Sequence, residues 1–269
     1  MVMQVMNLAY NSKQVCRYQA LDRDLGHTFV YAVRVPNVIN LIRDEYFGVL
    51  CEDERKKALA FRFIEDRNSF ITAHALLRTS LSSHFPISPR DWIFRKSQLG
   101  KPEQISLPNR VHFNLSRTRE IVCCALSDFS IGIDIENFNA LDNRNDYISI
   151  LDPREAEDVR SLPKSEKCLR AVIYWTLKES FLKGTGEGIS GLSNGFWFHV
   201  SNDKDIKLQN GHIPNHASKR WQFATLLIDR SHVISISVHP RNNEPILFTG
   251  LKAELFGASE NVKINITKK

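Results

Sequence analysis

A chain of 269 residues is long enough to bury one large core or two of about 130 residues each. With 42% hydrophobic and 25% charged residues it has the composition of a soluble globular protein, which excludes a disordered or fibrous chain. No apolar run approaches the length of a membrane span, and the opening MVMQVMNLAYNSKQ lacks the basic start and apolar core of a secretory signal, so a cytoplasmic location is expected. The net charge of +6 and a pI near 9.1 point to an acidic partner or an anionic substrate, without choosing among nucleic acid, membrane surface, nucleotide and acidic protein. Five cysteines without a C-x-x-C pair read as reduced thiols, not a zinc site.

Residues 28–35 (TFVYAVRV) are predicted as a first strand. A short helix follows from Cys51 with acids in its first turn, then a longer one over about Asp66 to His84. The longer helix carries Phe70, Ala73, Leu76, Leu77 and Leu81 at helical spacing, leaves Arg67, His74 and Arg78 off that stripe, and is stopped by Phe85-Pro86. After a weak strand at Trp92 to Lys96 and a turn at Gly100-Lys101-Pro102, strands at 111–115 and 120–127 form a hairpin-like pair. Residues 137–146 have the Asn/Asp content of a loop, and Asp152-Pro153-Arg154-Glu155 is a helix start with an acid at the N-cap, proline next and glutamate third. A second long helix runs from about Ser165 to Lys183 and is expected to stop at Gly184, with a flexible GTGEGISGLSNG after it. Strands are expected at 196–200, 221–228 and 232–238, with Asn210-Gly211 a candidate hairpin turn. The tail beyond Pro240 carries no clear pattern.

Two stretches carry chemistry. In the strand SIGIDIE (130–136) Ile131, Ile133 and Ile135 point one way and Gly132, Asp134 and Glu136 the other. The isoleucines make a buried face. Two carboxylates about 7 Å apart on the other face repel each other unless a cation sits between them, the first sign of a hard divalent metal. In the helix YWTLKESFLKGTGEG, Trp175, Glu179 and Lys183 stand at i, i+4 and i+8 on one face. Alone, Glu179 and Lys183 are an ordinary surface pair. With Asp134 and Glu136 they supply a third acid and an ammonium, a set that suits Mg²⁺ with room for phosphate oxygens. The glycines at 184, 186 and 188 do not make a Walker loop, because the Lys-Ser/Thr ending is missing.

Taken in order, FRF-x3-RNSFITAHALLR, GKP, FNLSRT, GIDIE and WTLKESFLKGTGEG resemble the 4′-phosphopantetheinyl transferases, in the larger two-half form (the Sfp type). The matching segments run from about Lys57 to Gly188, roughly half the chain. The resemblance implies an α+β fold of two pseudo-twofold-related halves, 1–128 and 129–269, each a small antiparallel sheet packed on a long helix, with the active site between them and a monomeric protein. It implies transfer of the phosphopantetheine arm of coenzyme A to a serine of an apo acyl carrier protein, or of a peptidyl or polyketide carrier domain. Mg²⁺ would be the cofactor, adenosine 3′,5′-bisphosphate the product, and neither nucleic acid nor membrane a partner. Fatty-acid, polyketide, siderophore and nonribosomal-peptide pathways are all compatible.

By the same resemblance Asp134, Glu136 and Glu179 are metal ligands, and Asp134, Glu179 and Lys183 the catalytic residues, Glu179 being the candidate base for the serine hydroxyl. Lys57, Lys96, Lys101, Pro102, Asn114, Ser116, Arg117, Thr118, Lys178 and Lys183 are expected around coenzyme A. One position departs from the family pattern: Arg117 stands where most members have histidine, and a guanidinium still binds phosphate but stays charged across the pH range. The competing readings are a metal-dependent phosphodiesterase or nuclease, built from the same acids and lysine, and a degenerate member that binds coenzyme A or a carrier without reacting.

Overall fold

The computed structural model describes residues 28–35, 45–97, 100–107, 111–141, 146–201, 205–210, 220–228, 230–240 and 248–253. The first sheet is built from β1 (Thr28–Arg34), β4 (His112–Arg117), β5 (Ile121–Ser127) and β11 (Phe248–Ala253), in the order β11-β1-β5-β4. The second is built from β6 (Ser130–Asn137), β9 (Gln222–Ile228) and β10 (His232–His239), in the order β6-β10-β9. Two hairpins flank them: β2 (Phe94–Lys96) with β3 (Pro102–Gln104), and β7 (Phe196–Ser201) with β8 (Asp205–Asn210). Pairing is antiparallel except between β1 and β11, so the unpatterned tail contributes a parallel edge strand to the first sheet.

The two sheets face each other, and alternation decides what each residue covers. Ile121, Cys123 and Ala125 of β5 meet Ile131, Ile133 and Ile135 of β6 and Ile234, Ile236 and Val238 of β10 in one core between the sheets. Cys124 and Leu126 point the other way, onto Leu77 and Leu81 of the long helix α2 (Ile64–His84). Every residue of β5 is therefore buried, as expected for a strand covered on both faces. The outer face of the second sheet is covered by α4 (Lys164–Thr185), whose Leu177, Phe181 and Leu182 pack with Val233 and Phe198. The layers run helix, sheet, sheet, helix, an α+β arrangement.

Local signals explain most element ends. Helix α1 (Glu52–Ala60) begins with three acids, and Glu54 reaches back to the Cys51 amide. Helix α3 (Pro153–Ser161) has the capping box read from its sequence: Asp152 accepts from the Arg154 amide and Glu155 from the Asp152 amide. Helix α4 does not stop at Gly184. It continues to Thr185, and Gly186, in the left-handed conformation at φ 85°, ends it. Gly184 is instead a buried packing position, because a Cβ there would lie 2.8 Å from the Trp221 ring. The expected loop 137–146 contains a short 3₁₀ turn at Phe138–Leu141, and its residues 142–145 lie outside the described residues. The GTGEGISGLSNG connection likewise holds a 3₁₀ segment at Ile189–Asn194. Strand β8 lies in a stretch with no strand expected from the sequence, and Gly211 of the Asn210-Gly211 turn lies outside the described residues. Among the described residues no helix is long and apolar enough to cross a membrane.

Arg78, expected off the apolar stripe of α2, is almost fully buried. Its guanidinium grips both carboxylate oxygens of Glu54 at 2.7 and 3.1 Å and donates to the carbonyls of Pro89 and Trp92. That network ties α1 and the approach to β2 onto α2. Burial alone would raise the Glu54 pKa, but hydrogen bonds from His74 and Arg78 outweigh it and hold the carboxyl down at about 2.

Candidate active site

Among the described residues the outer edge of β6 has no strand beside it, and side chains from β4 and the β2–β3 hairpin take that role. Asn114 Oδ1 accepts from the Ile133 amide at 2.9 Å, Ser116 Oγ accepts from the Ile135 amide at 3.3 Å, and Lys101 Nζ donates to the Ile131 carbonyl at 3.0 Å. These groups satisfy backbone atoms that would otherwise be buried unpaired. They also fix β6 against β4, which places Asp134 beside Ser116.

Asp134 is 4% exposed. Its Oδ1 accepts from Lys183 Nζ at 2.5 Å and from Ser116 Oγ at 2.8 Å, and Lys183 also donates to Ser116 Oγ at 3.1 Å. Its Oδ2 is buried without a hydrogen-bond partner, as is Glu179 Oε1. The helix can approach this closely because Gly132 has no side chain: a Cβ there would stand 1.9 Å from the Ser180 carbonyl oxygen. Helix α4 therefore lies almost on the β6 backbone, and its residues Glu179 and Lys183 meet Asp134.

Electrostatics show acids outnumbering the cation. Burial raises the Asp134 pKa against the pull of Lys183 and Ser116. Burial and then the Asp134 charge raise Glu179. Glu136 is pushed up to about 7 by burial and by Asp134, with Glu179 adding to the same effect. Lys183 is drawn above its ordinary value by Asp134, which outweighs the effect of its burial. One ammonium thus faces three carboxylates, two of which carry orphaned oxygens. Among the described residues no three ligating side chains are gathered tightly enough to enclose a metal by themselves. A hard cation of the Mg²⁺ kind does not need such a cage, because it takes one or two carboxylates and completes its shell with phosphate oxygens and water. The two orphaned oxygens fit that donor set.

The other expected residues divide by place. Lys96, Lys101 and Pro102 line a cavity of about 810 Å³ between the β2–β3 hairpin, β4 and the end of α4, with Arg95, His112 and Phe113. Lys101 also donates to the Gly184 carbonyl at 3.0 Å, and burial lowers its pKa to about 8. Arg117 stands at the end of β4, its guanidinium over the Phe61 and Phe70 rings and within 3.3 Å of the Asp66 carbonyl. Lys57 is exposed on α1. Thr118 accepts from the amides of Glu120 and Ile121 and so closes the β4–β5 turn.

Lys178 lies elsewhere. Its ammonium is buried on the far side of α4, 3.0 Å from Glu155 Oε2 and 3.1 Å from the Phe196 carbonyl, over the Phe196 ring. It joins α3, α4 and β7, and the expectation that it meets coenzyme A does not agree with this placement. Neither the Glu155–Lys178 pair nor the Glu54–Arg78 pair was found from sequence. The signal was available in part, since both acids are third residues of capping boxes.

Residues 130–237 match the model of the 4′-phosphopantetheinyl transferase superfamily. The 4′-phosphopantetheinyl transferase HetI of Nostoc is 30% identical over 195 residues, covering 71% of this chain and 79% of that protein. The 4′-phosphopantetheinyl transferase Sfp of Bacillus subtilis strain 168 is 27% identical over 190 residues, 69% of this chain and 83% of its own length. Another 4′-phosphopantetheinyl transferase of Bacillus subtilis is 28% identical over 175 residues, 64% and 76% of the two chains. The matched segment contains β6 and α4, the two elements that bring Asp134, Glu136, Glu179 and Lys183 together, and the chain belongs to the 4′-phosphopantetheinyl transferase superfamily as a transferase enzyme.

Proposed function

We propose that this enzyme transfers the 4′-phosphopantetheine arm of coenzyme A to a serine of an apo acyl or peptidyl carrier protein in a Mg²⁺-dependent reaction. The observation that carries this reading is the pair of orphaned carboxylate oxygens, Asp134 Oδ2 and Glu179 Oε1, beside the Lys183 ammonium. Asp134 and Glu179 would hold the cation, with Glu136 as a third acid. When bound, Mg²⁺ would supply positive charge at the pyrophosphate oxygens.

The residues of the chain divide the remaining work. The cavity bordered by Arg95, Lys96 and Lys101 takes the nucleotide end of coenzyme A, where cations meet phosphate. Arg117, at the end of β4 and outside the lining of that cavity, would add a permanent charge toward a phosphate of the same ligand. The carrier serine oxygen attacks the phosphorus that bears the pantetheine, and the bond from that phosphorus to the bridging pyrophosphate oxygen breaks. Lys183 neutralises charge that builds on the leaving adenosine 3′,5′-bisphosphate. Glu179 is the candidate group to accept the serine proton, directly or through water. Residues 1–128 and 129–269 act as two halves around this site, with the β11 strand returning to the first sheet. The protein works as a cytoplasmic monomer in this reading.

The test is intact-mass spectrometry of an apo acyl carrier and an apo peptidyl carrier incubated with the enzyme, coenzyme A and Mg²⁺. A gain of one phosphopantetheine, abolished by a chelator and restored by Mg²⁺, is expected. No gain on either carrier, or a gain indifferent to chelation, would contradict the proposal.

A further inference from the structure

Helix α4 runs antiparallel along β6, so three contacts follow one another in order. Gly132 meets Ser180 and Gly184, Asp134 meets Lys183, and Glu136 meets Trp175. Trp175 lies one helical turn before Glu179, on the same face. Its indole N–H donates to the Glu136 carboxylate. The cationic neighbour Lys183 is already committed to Asp134 and Ser116, and among the described residues the acids Asp134 and Glu179 act on Glu136 with the opposite sign. A half-buried glutamate near the end of a strand, repelled by two carboxylates, would turn outward to water unless something holds it in. The indole is the neutral donor that can do so, and a hydrogen bond to an ionised acceptor is stronger than a neutral one.

We infer that Trp175 is a positioning residue, which holds Glu136 turned toward Asp134 and Glu179 and so sets how tightly the three acids bind a divalent cation. The inference rests on the metal reading given above. Groups that orient a ligating side chain commonly change metal affinity by about tenfold or more when removed.

Mn²⁺ is the probe, its free concentration read by electron paramagnetic resonance with the full chain, without coenzyme A or carrier. Trp175→Phe, which keeps the ring and removes the N–H, is expected to weaken Mn²⁺ binding about tenfold. In a Glu136→Gln background the same substitution is expected to change little. Unchanged affinity in Trp175→Phe, or an undiminished loss in the Glu136→Gln background, would overturn the inference alone. Absence of Mn²⁺ binding by the unaltered protein would overturn the metal reading and the inference with it. A second measurement needs no change at Trp175. Of the four tryptophan indole N–H signals, one is expected to move strongly upfield in Glu136→Gln. Four unmoved signals would mean that the indole does not hold Glu136.

Discussion

The closeness of α4 to β6 makes Gly132→Ala the most informative single substitution. A Cβ at this position would lie 1.9 Å from the Ser180 carbonyl oxygen and 2.4 Å from the Gly184 nitrogen. Both are backbone atoms of a helix and cannot turn aside. Ordinary carbon–oxygen contact begins at roughly 3.3 Å, so α4 and β6 must part by about 1.4 Å. The strain of such overpacking is about 1–3 kcal/mol, with this site at the upper end because neither neighbour is a side chain. For a chain of this size that corresponds to a fall in melting temperature of roughly 5–10 °C. The same displacement carries Lys183 away from the oxygen it now meets at 2.5 Å. Misplacement on the 1 Å scale typically costs about 100-fold in rate. Differential scanning fluorimetry and the carrier-modification rate would be measured on the same preparation. A Gly132→Ala protein with unchanged melting temperature and unchanged transfer would refute the claim that this glycine sets the geometry of the site.

Other expectations concern charges in and beyond the site. Glu54→Gln leaves the buried Arg78 without its bidentate partner and should cost about 3 kcal/mol in urea unfolding at pH 7. The folded carboxyl titrates at about 2, below its ordinary value of 4.5, so its contribution is complete above pH 4.5 and fades as pH falls toward 2. The variant should therefore lose less stability than the parent across that window, and parallel curves would refute this. Lys178→Met should cost about 3 kcal/mol of stability through the uncompensated Glu155, seen as a lower melting temperature, while leaving coenzyme A affinity within about twofold. A large loss of affinity in a well-folded Lys178→Met protein would return this lysine to the ligand site. Arg117→His replaces a permanent charge with one lost near pH 6.5, so coenzyme A affinity should weaken as pH rises from 6 to 8 in the variant and stay flat in the parent. Equal profiles would show that position 117 does not meet a phosphate.

The element pattern was readable because its signals are local. Alternation in 130–136 placed the isoleucines inward and Asp134 outward, and the capping box at Asp152 marked the start of α3 to the residue. What sequence could not show depends on approach between distant segments. Gly184 looks like a helix stop, yet the adjacent Trp221 and Gly132 make it a packing position, and the stop falls two residues later. Lys178 sits beside Glu179 in sequence, but a 100° step along a helix sends its ammonium to Glu155 on the other side. Arg78 reads as a solvated residue until Glu54 and three carbonyls are brought around it. Strand β11 has no clear pattern of its own and is defined by its partner β1. The resemblance makes Asn114, Ser116 and Lys101 ligand contacts, while their roles as partners of the open β6 edge depend on β4 and the β2–β3 hairpin lying against it.

The most direct test of the central claim is the rate of holo-carrier formation by Glu179→Gln, measured by intact mass alongside its melting temperature and coenzyme A affinity. The account predicts a rate at least about 100-fold lower, with the fold intact and coenzyme A still bound, because the proposed metal ligand and base is lost from the transition state but not from the cavity proposed for the nucleotide. A folded Glu179→Gln enzyme that modifies carriers within a few-fold of the parent would contradict it.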